Sequence, residues 1–173
     1  FFFQAQDGIR YCLLSRGLGD VYKRQVKAIE LSIKSVDSGT GPFGAVIVKD
    51  NKIISEGFNI VTSSNDPTSH AEIVAIRNAC KSLNNFVLKG CDLYTTCEPC
   101  PMCLSAIYWA RIDRVYYANT RKDAQKIDFS DSMIYEELNK TIKDRKIPMH
   151  QMMREEAIKA FELWDKKTDK VKY

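Results

Sequence analysis

The chain has 173 residues, of which 45% are hydrophobic and 28% charged, a globular balance at a length that suits one domain with a sizeable core. The formal charge of +4, from 26 basic and 22 acidic side chains, is too small an excess to argue for a nucleic-acid partner. No apolar run approaches the ~20 residues that a membrane span needs, so no membrane partner is expected either.

Residues 1–25 stand apart. They do not begin with Met, show no clean helical or strand period, and end in DVYKRQ. That hexapeptide back-translates to GATGTGTATAAGAGACAG, which looks like the mosaic end of a transposon library adapter. The segment is read as a non-native head translated in frame, not as a targeting arm, and its opening FFFQAQ lacks the basic start of a secretory signal. Arg10, Arg16, Lys23 and Arg24 against Asp7 and Asp20 give the head +2 of the formal charge, which leaves +2 for residues 26–173. Those residues are read as a single domain.

From Val26 to Asp37, the apolar residues Val26, Ile29, Ile33 and Val36 recur at helical spacing until SGTGP stops the pattern. FGAVIVKD reads as a strand, Asp50-Asn51 as a tight turn, and KIISEGF as the returning strand of a hairpin. NIVTSSNDPTS is a polar loop. HAEIVAIRNACKSL, 70–83, is a helix with Ile73, Ile76 and Cys80 or Leu83 turned inward. CDLYTT is a third strand, CPMCLSAIYWAR a helix and DRVYYANT a fourth strand. Two amphipathic helices follow after a loop, DSMIYEELNK and MREEAIKAFELWDKK, with IPMHQMM a possible fifth strand between them. Strands alternating with helices of this length predict an α/β fold: a three-layer α/β/α sandwich around a mixed, roughly five-stranded sheet.

The six cysteines are Cys12, Cys80, Cys91, Cys97, Cys100 and Cys103, and half of them crowd into TTCEPCPMC. That crowding favours a reducing, cytoplasmic compartment and a metal or catalytic role over disulfides. Cys100 and Cys103, on the first turn of a helix, present both sulfurs to one point beyond its N-terminus, and Pro99 suits the opening of that helix. His70 falls at the N-terminus of its own helix. Two helix N-termini aimed at one spot favour anions there. One nitrogen and two sulfurs leave the fourth position of a tetrahedral zinc open to water, as in catalytic sites. Glu72 flanks that position and is suited to moving a proton from water to a substrate nitrogen. Glu72 as a further ligand is the rival role. Cys97 reads most simply as a buried small residue.

HAE followed by PCxxC is the signature of the cytidine-deaminase-like zinc deaminases. GPFGAVIVKD, SNDPTSHAE, YTTCEPCPMCLSAIYWAR, FSDSMIYEEL, RKIPMHQ and the terminal Lys-Tyr together resemble the guanine deaminases of that fold, from about Lys27 to Tyr173. The resemblance implies one Zn2+ held by His70, Cys100 and Cys103, with Glu72 as proton shuttle. It implies that Asn59 and the Ala71 N–H bind the purine, and that Asp131 contacts the exocyclic amine and assists proton transfer. It also implies a homodimer in which the C-terminal segment crosses to the other copy and Tyr173 closes the other active site. The implied reaction is hydrolysis of guanine to xanthine and ammonia, a step of purine catabolism or salvage. Ser69 stands where many members of the family have Ala.

Plainer roles remain for several of these residues. Asn59 suits the end of a strand, and Asp131 suits the N-cap of SMIYEEL. Phe43 and Trp109 are candidates to line the pocket, or plain core. Two rival functions share the zinc motif: a tRNA adenosine deaminase, which would need a basic RNA-contacting surface, and a non-catalytic zinc-stabilised interaction domain, which would need a fourth protein ligand.

Overall fold

Strand β3, Cys91–Cys97, is buried along its whole length, as a strand covered on both faces must be. In the computed structural model, which describes residues 18–172, it lies between β1, Gly44–Lys49, and β4, Arg114–Asn119, with β2, Lys52–Phe58, outside β1. β1 pairs antiparallel with both β2 and β3, while β3 and β4 run parallel. Asp50 and Asn51 join β1 to β2 with positive φ of 47° and 64°, the handedness that tight two-residue hairpins require.

Among the described residues the sheet has four strands, not the roughly five expected. Residues 148–152, inside the IPMHQMM segment, form no strand. Pro148 lacks the N–H that a ladder needs, and Met153 turns the chain into the left-handed region at φ 51°.

Alternation along β1 sends Val46 and Val48 to one face and Ala45 and Ile47 to the other. Helix α1, Leu18–Asp37, covers the first face, where Leu31 packs with Val46, Val48 and Tyr94. Helices α3, Ala71–Leu83, and α4, Pro101–Ala110, cover the second through Ala71, Ala75, Ile76, Ala79, Ile107 and Ala110. The result is the α/β/α layering read from the sequence. Both helix layers approach closely at a glycine. A Cβ at Gly44 would collide with the Ala28 carbonyl oxygen and lie 2.6 Å from the Ser32 nitrogen, and one at Gly57 would collide with the Ala71 carbonyl oxygen and lie 2.6 Å from the Ala75 nitrogen.

That close approach explains which face α1 buries. Its sheet side carries Ala28, Leu31 and Ser35, whereas Ile29, Ile33 and Val36 of the expected apolar period are exposed. Among the described residues the helix already runs from Leu18, well before Val26. Within the segment read as a head, Arg24 donates to the Tyr94 hydroxyl at 3.3 Å and Gln25 to the Thr95 carbonyl at 2.9 Å. Residues 1–17, with Cys12, lie outside the described residues.

The polar loop after β2 contains a single-turn helix, α2, Val61–Ser64, and β4 leads into α5, Arg121–Gln125, capped reciprocally by Thr120 and Asp123. The chain divides after Ser130 into two compact units. The second holds α6, Ser132–Leu138, a 3-10 turn at Ile142–Asp144, and α7, Arg154–Lys166. Glu137 organises it, taking Lys140 Nζ at 2.6 Å and the Lys146 N–H at 2.7 Å. Neither α6 nor α7 has a buried residue.

Candidate active site

The two metal-binding motifs end at matching places. His70 is the N-cap of α3 and Cys100 the N-cap of α4, both in extended backbone. Pro101, rather than Pro99, takes the first helical position of α4, where a missing N–H leaves no bond unmade. Cys103 follows in the first turn and is fully buried. Nδ1 of His70 lies 3.6 Å from the Cys100 sulfur and 3.6 Å from the Cys103 sulfur. Zinc bonds of about 2.0–2.1 Å to nitrogen and about 2.3 Å to sulfur, at a tetrahedral angle, demand an N···S edge of about 3.6 Å. The three donors, all within 4.8 Å of one another, therefore fit one zinc ion. Among the described residues this group supplies three ligands, the count of a catalytic site.

The protonation pattern of the metal-free donors fits a cation as well. A hydrogen bond from Cys103, supported by His70, brings the Cys100 thiol down to about 4. The same Cys100–Cys103 bond, with burial and the nearby Glu72 carboxylate, pushes the Cys103 thiol far up. His70 is raised chiefly by its hydrogen bond with Cys100. Cys103 thus keeps the proton while Cys100 favours the thiolate, and a divalent cation displaces that proton.

Glu72 sits in the first turn of α3, only 5% exposed. Its Oε1 accepts the Thr95 hydroxyl at 3.0 Å and its Oε2 accepts the Cys103 thiol at 3.4 Å. Burial raises its pKa above the usual carboxylate range, which moves it toward the neutral-pH poise of a group that both takes and returns a proton. Ala71, fully buried, contributes one of the N–H groups that open a helix without an intrahelical acceptor.

Asn59 lies just past β2 and is buried. Its N–H donates to the Phe43 carbonyl at 3.0 Å and its Oδ1 accepts the Val61 N–H at 3.1 Å. The next N–H, of Ile60, donates to the Ser69 carbonyl at 3.1 Å, which stitches this strand end to the loop that carries His70. Phe43 is half-buried and meets Phe129 edge-on at 5.0 Å. The structure does not bring Trp109 to the zinc donors: it is 66% exposed and lies about 13 Å along α4 from Cys100 at ~1.5 Å per residue. Asp131 is the N-cap of α6 in the second unit, and its side chain makes no capping hydrogen bond. Tyr173 lies outside the described residues.

Two partners escaped the sequence reading. Thr95 holds Glu72, and Phe129 meets Phe43; both lie in segments that carry the family resemblance, YTTCEPC and FSDSMIYEEL, but nothing in those segments singled out either residue. Cys97 is buried as expected, with its sulfur 3.6 Å from the Thr120 carbonyl oxygen.

This fold and donor set define a zinc-dependent deaminase domain. The family profile of the cytidine and deoxycytidylate deaminase zinc-binding region matches residues 22–119, and the chain belongs to that family. It is 51% identical to the guanine deaminase of Bacillus subtilis (strain 168) over 148 residues, 85% of this chain and 95% of that protein. The X-ray structure of guanine deaminase from Bacillus subtilis matches with a TM-score of 0.85 at 50% identity, covering 88% of this chain and 98% of that one. Another solved chain, crystallised with 8-azaguanine, is 28% identical with a TM-score of 0.61, over 62% of this chain and 63% of its own. The chain is 44% identical to the tRNA-specific adenosine deaminase of Aquifex aeolicus (strain VF5) over 91 residues, 53% of this chain and 60% of that protein.

Proposed function

We propose that this chain is a guanine aminohydrolase, converting guanine and water to xanthine and ammonia. The observation that carries the reading is identity of 51% along 95% of a guanine deaminase, which extends well past the zinc region shared with the tRNA enzymes. His70, Cys100 and Cys103 would hold the zinc, which when bound would supply a Lewis acid able to bring the pKa of water from ~15.7 toward ~7.

The chain's own groups do the rest. Glu72 takes a proton from the attacking water as oxygen bonds to C2, and gives it to a ring nitrogen. It then takes the proton left on the C2 hydroxyl and, with Asp131, passes it to the exocyclic amine, so that the C2 carbonyl forms as the C–N bond breaks and ammonia leaves. Asn59 and the Ala71 N–H hold the purine edge, and Phe43 forms a wall of the pocket. Thr95 keeps one carboxylate oxygen of Glu72 occupied and the other directed at the zinc donors.

The proposed assembly is a homodimer with swapped C-terminal segments, in which Tyr173 of the partner subunit closes each site. It is supported by α7, whose Phe161, Leu163 and Trp164 are exposed and call for cover. A cytoplasmic setting is supported by the five described cysteines, all free, and residues 1–25 are proposed to be a non-native head.

The test is ammonia release by zinc-loaded protein given guanine, an adenosine-bearing tRNA anticodon stem-loop, or cytosine. Turnover of guanine alone supports the reading. Turnover of the RNA instead overturns the substrate while keeping the zinc chemistry, and zinc binding without turnover of any base points to a binding domain.

A further inference from the structure

The loop that delivers His70 is built on one carboxylate. Asp66 Oδ1 accepts the Thr68 N–H at 2.8 Å and the Thr68 hydroxyl at 2.7 Å. Its Oδ2 accepts the Ser69 hydroxyl at 2.6 Å and Arg77 NH1 at 3.3 Å. These bonds, led by that from Ser69, hold the Asp66 carboxyl well below the ordinary range. Thr68 in turn fixes the ligand, because its carbonyl oxygen accepts the His70 N–H at 2.8 Å. Ser69, buried next to His70, has its own carbonyl tied to Ile60. Arg77 reaches back from α3 to the Thr68 hydroxyl at 3.1 Å, so the loop is pinned to the same helix that carries Glu72. No residue of the mechanism uses Asp66, yet both residues between it and the ligand that own a hydroxyl spend it there.

We propose that Asp66, acting through Thr68 and Ser69, is a positioning residue that sets the His70 imidazole for zinc. Asp66 touches neither metal nor substrate. Its loss frees Thr68, strands the buried Ser69 hydroxyl, and lets His70 drift from the 3.6 Å spacing its nitrogen keeps to both sulfurs. Groups that orient metal ligands typically matter at the level of about 10–100-fold in metal affinity.

The experiment measures zinc affinity of the full chain by competition with a chromophoric chelator, and the visible absorption of the cobalt(II)-substituted protein, whose bands report ligand geometry. Asp66→Ala is expected to weaken zinc about 10–100-fold and to shift the cobalt bands. Asp66→Asn keeps an acceptor oxygen for Thr68 and is expected to restore affinity to within about threefold of wild type. A wild-type zinc affinity or a wild-type cobalt spectrum for Asp66→Ala overturns the proposal, and so does an Asn variant as weak as the Ala one. Should Asp66→Ala fail to fold, Ser69→Ala decides: a loss of about threefold or more is expected, and parity with wild type overturns the role. The readout is the metal, so it is independent of substrate. Wild-type protein that binds zinc but leaves guanine untouched removes the proposed reaction without touching this inference.

Discussion

The Thr95 hydroxyl donates to Oε1 of Glu72 across 3.0 Å, and Oε2 of the same carboxylate lies 3.4 Å from the Cys103 sulfur. One oxygen is held by the sheet and the other is presented to the metal donors. Glu72→Gln keeps the shape and the Thr95 contact but removes the base. It is expected to lower kcat by about 10²–10⁴-fold while zinc content, read by metal analysis, stays at one per chain. Thr95→Val, which removes only the hydroxyl, is expected to lower kcat about 5-fold with little change in KM, since a positioning bond of about 1 kcal/mol is lost. Full turnover in Glu72→Gln would remove Glu72 from the mechanism.

The glycines that seat the helices separate stability from function. Gly57 touches the first turn of α3, so Gly57→Ala forces α3 outward at the residues next to His70 and Glu72. Gly44→Ala does the same to α1, on the face of the sheet away from the site. Each is expected to destabilise by about 1–3 kcal/mol, lowering Tm by roughly 2–4 °C per kcal/mol. Only Gly57→Ala is expected to weaken zinc binding as well. Equal metal affinity in the two variants would disprove the link between that packing and the site.

The contrast between α3 and α1 shows what was legible in the sequence. In α3 the large apolar residues Ile73 and Ile76 are the buried ones, so period and burial agree. In α1 the helix lies so close to the sheet at Gly44 that, of the buried positions Ala28, Leu31 and Ser35, only Leu31 is large; the other two are small residues that a period of large apolar side chains does not flag. The zinc donors were legible because their chemistry is carried by residue type and short spacing. Thr95 and Asp66 were not, because their roles arise from strand register and from a loop that closes only in three dimensions. The fifth strand failed for a related reason: IPMHQMM has strand-like composition, but a strand exists only where a neighbour's ladder receives it.

The Asp92–Arg114 pair ties the two parallel strands together. Arg114 meets Asp92 with two bonds, at 2.8 and 2.9 Å, and Asp92 is nearly buried while Arg114 is largely exposed. Arg114→Ala leaves that carboxylate without its fork partner. The expected outcome is a lower midpoint in urea unfolding, a loss kept modest because the guanidinium side faces water. Arg114→Lys is expected to recover only part of it, since an ammonium cannot match both oxygens. Complete recovery with Lys would mean that charge alone, and not the bidentate geometry, holds the pair.

Zinc uptake itself reports the proton held on Cys103. With its pKa near 4, Cys100 is already a thiolate at neutral pH and releases nothing when metal binds. Cys103, pushed up by Cys100 and burial, still holds its proton and must give it up. His70, raised above its ordinary 6.5, is protonated to a larger extent than a free imidazole and gives up a further fraction. The sign follows: affinity rises with pH, because protons are products of binding. Calorimetry at pH 7 in buffers of different ionisation enthalpy is expected to count about one to two protons released per zinc, falling toward one as pH rises through the His70 pKa. A count near three would mean that Cys100 starts as a thiol and that the low pKa assigned to it is wrong. A count of zero would mean that the donors enter the site already deprotonated.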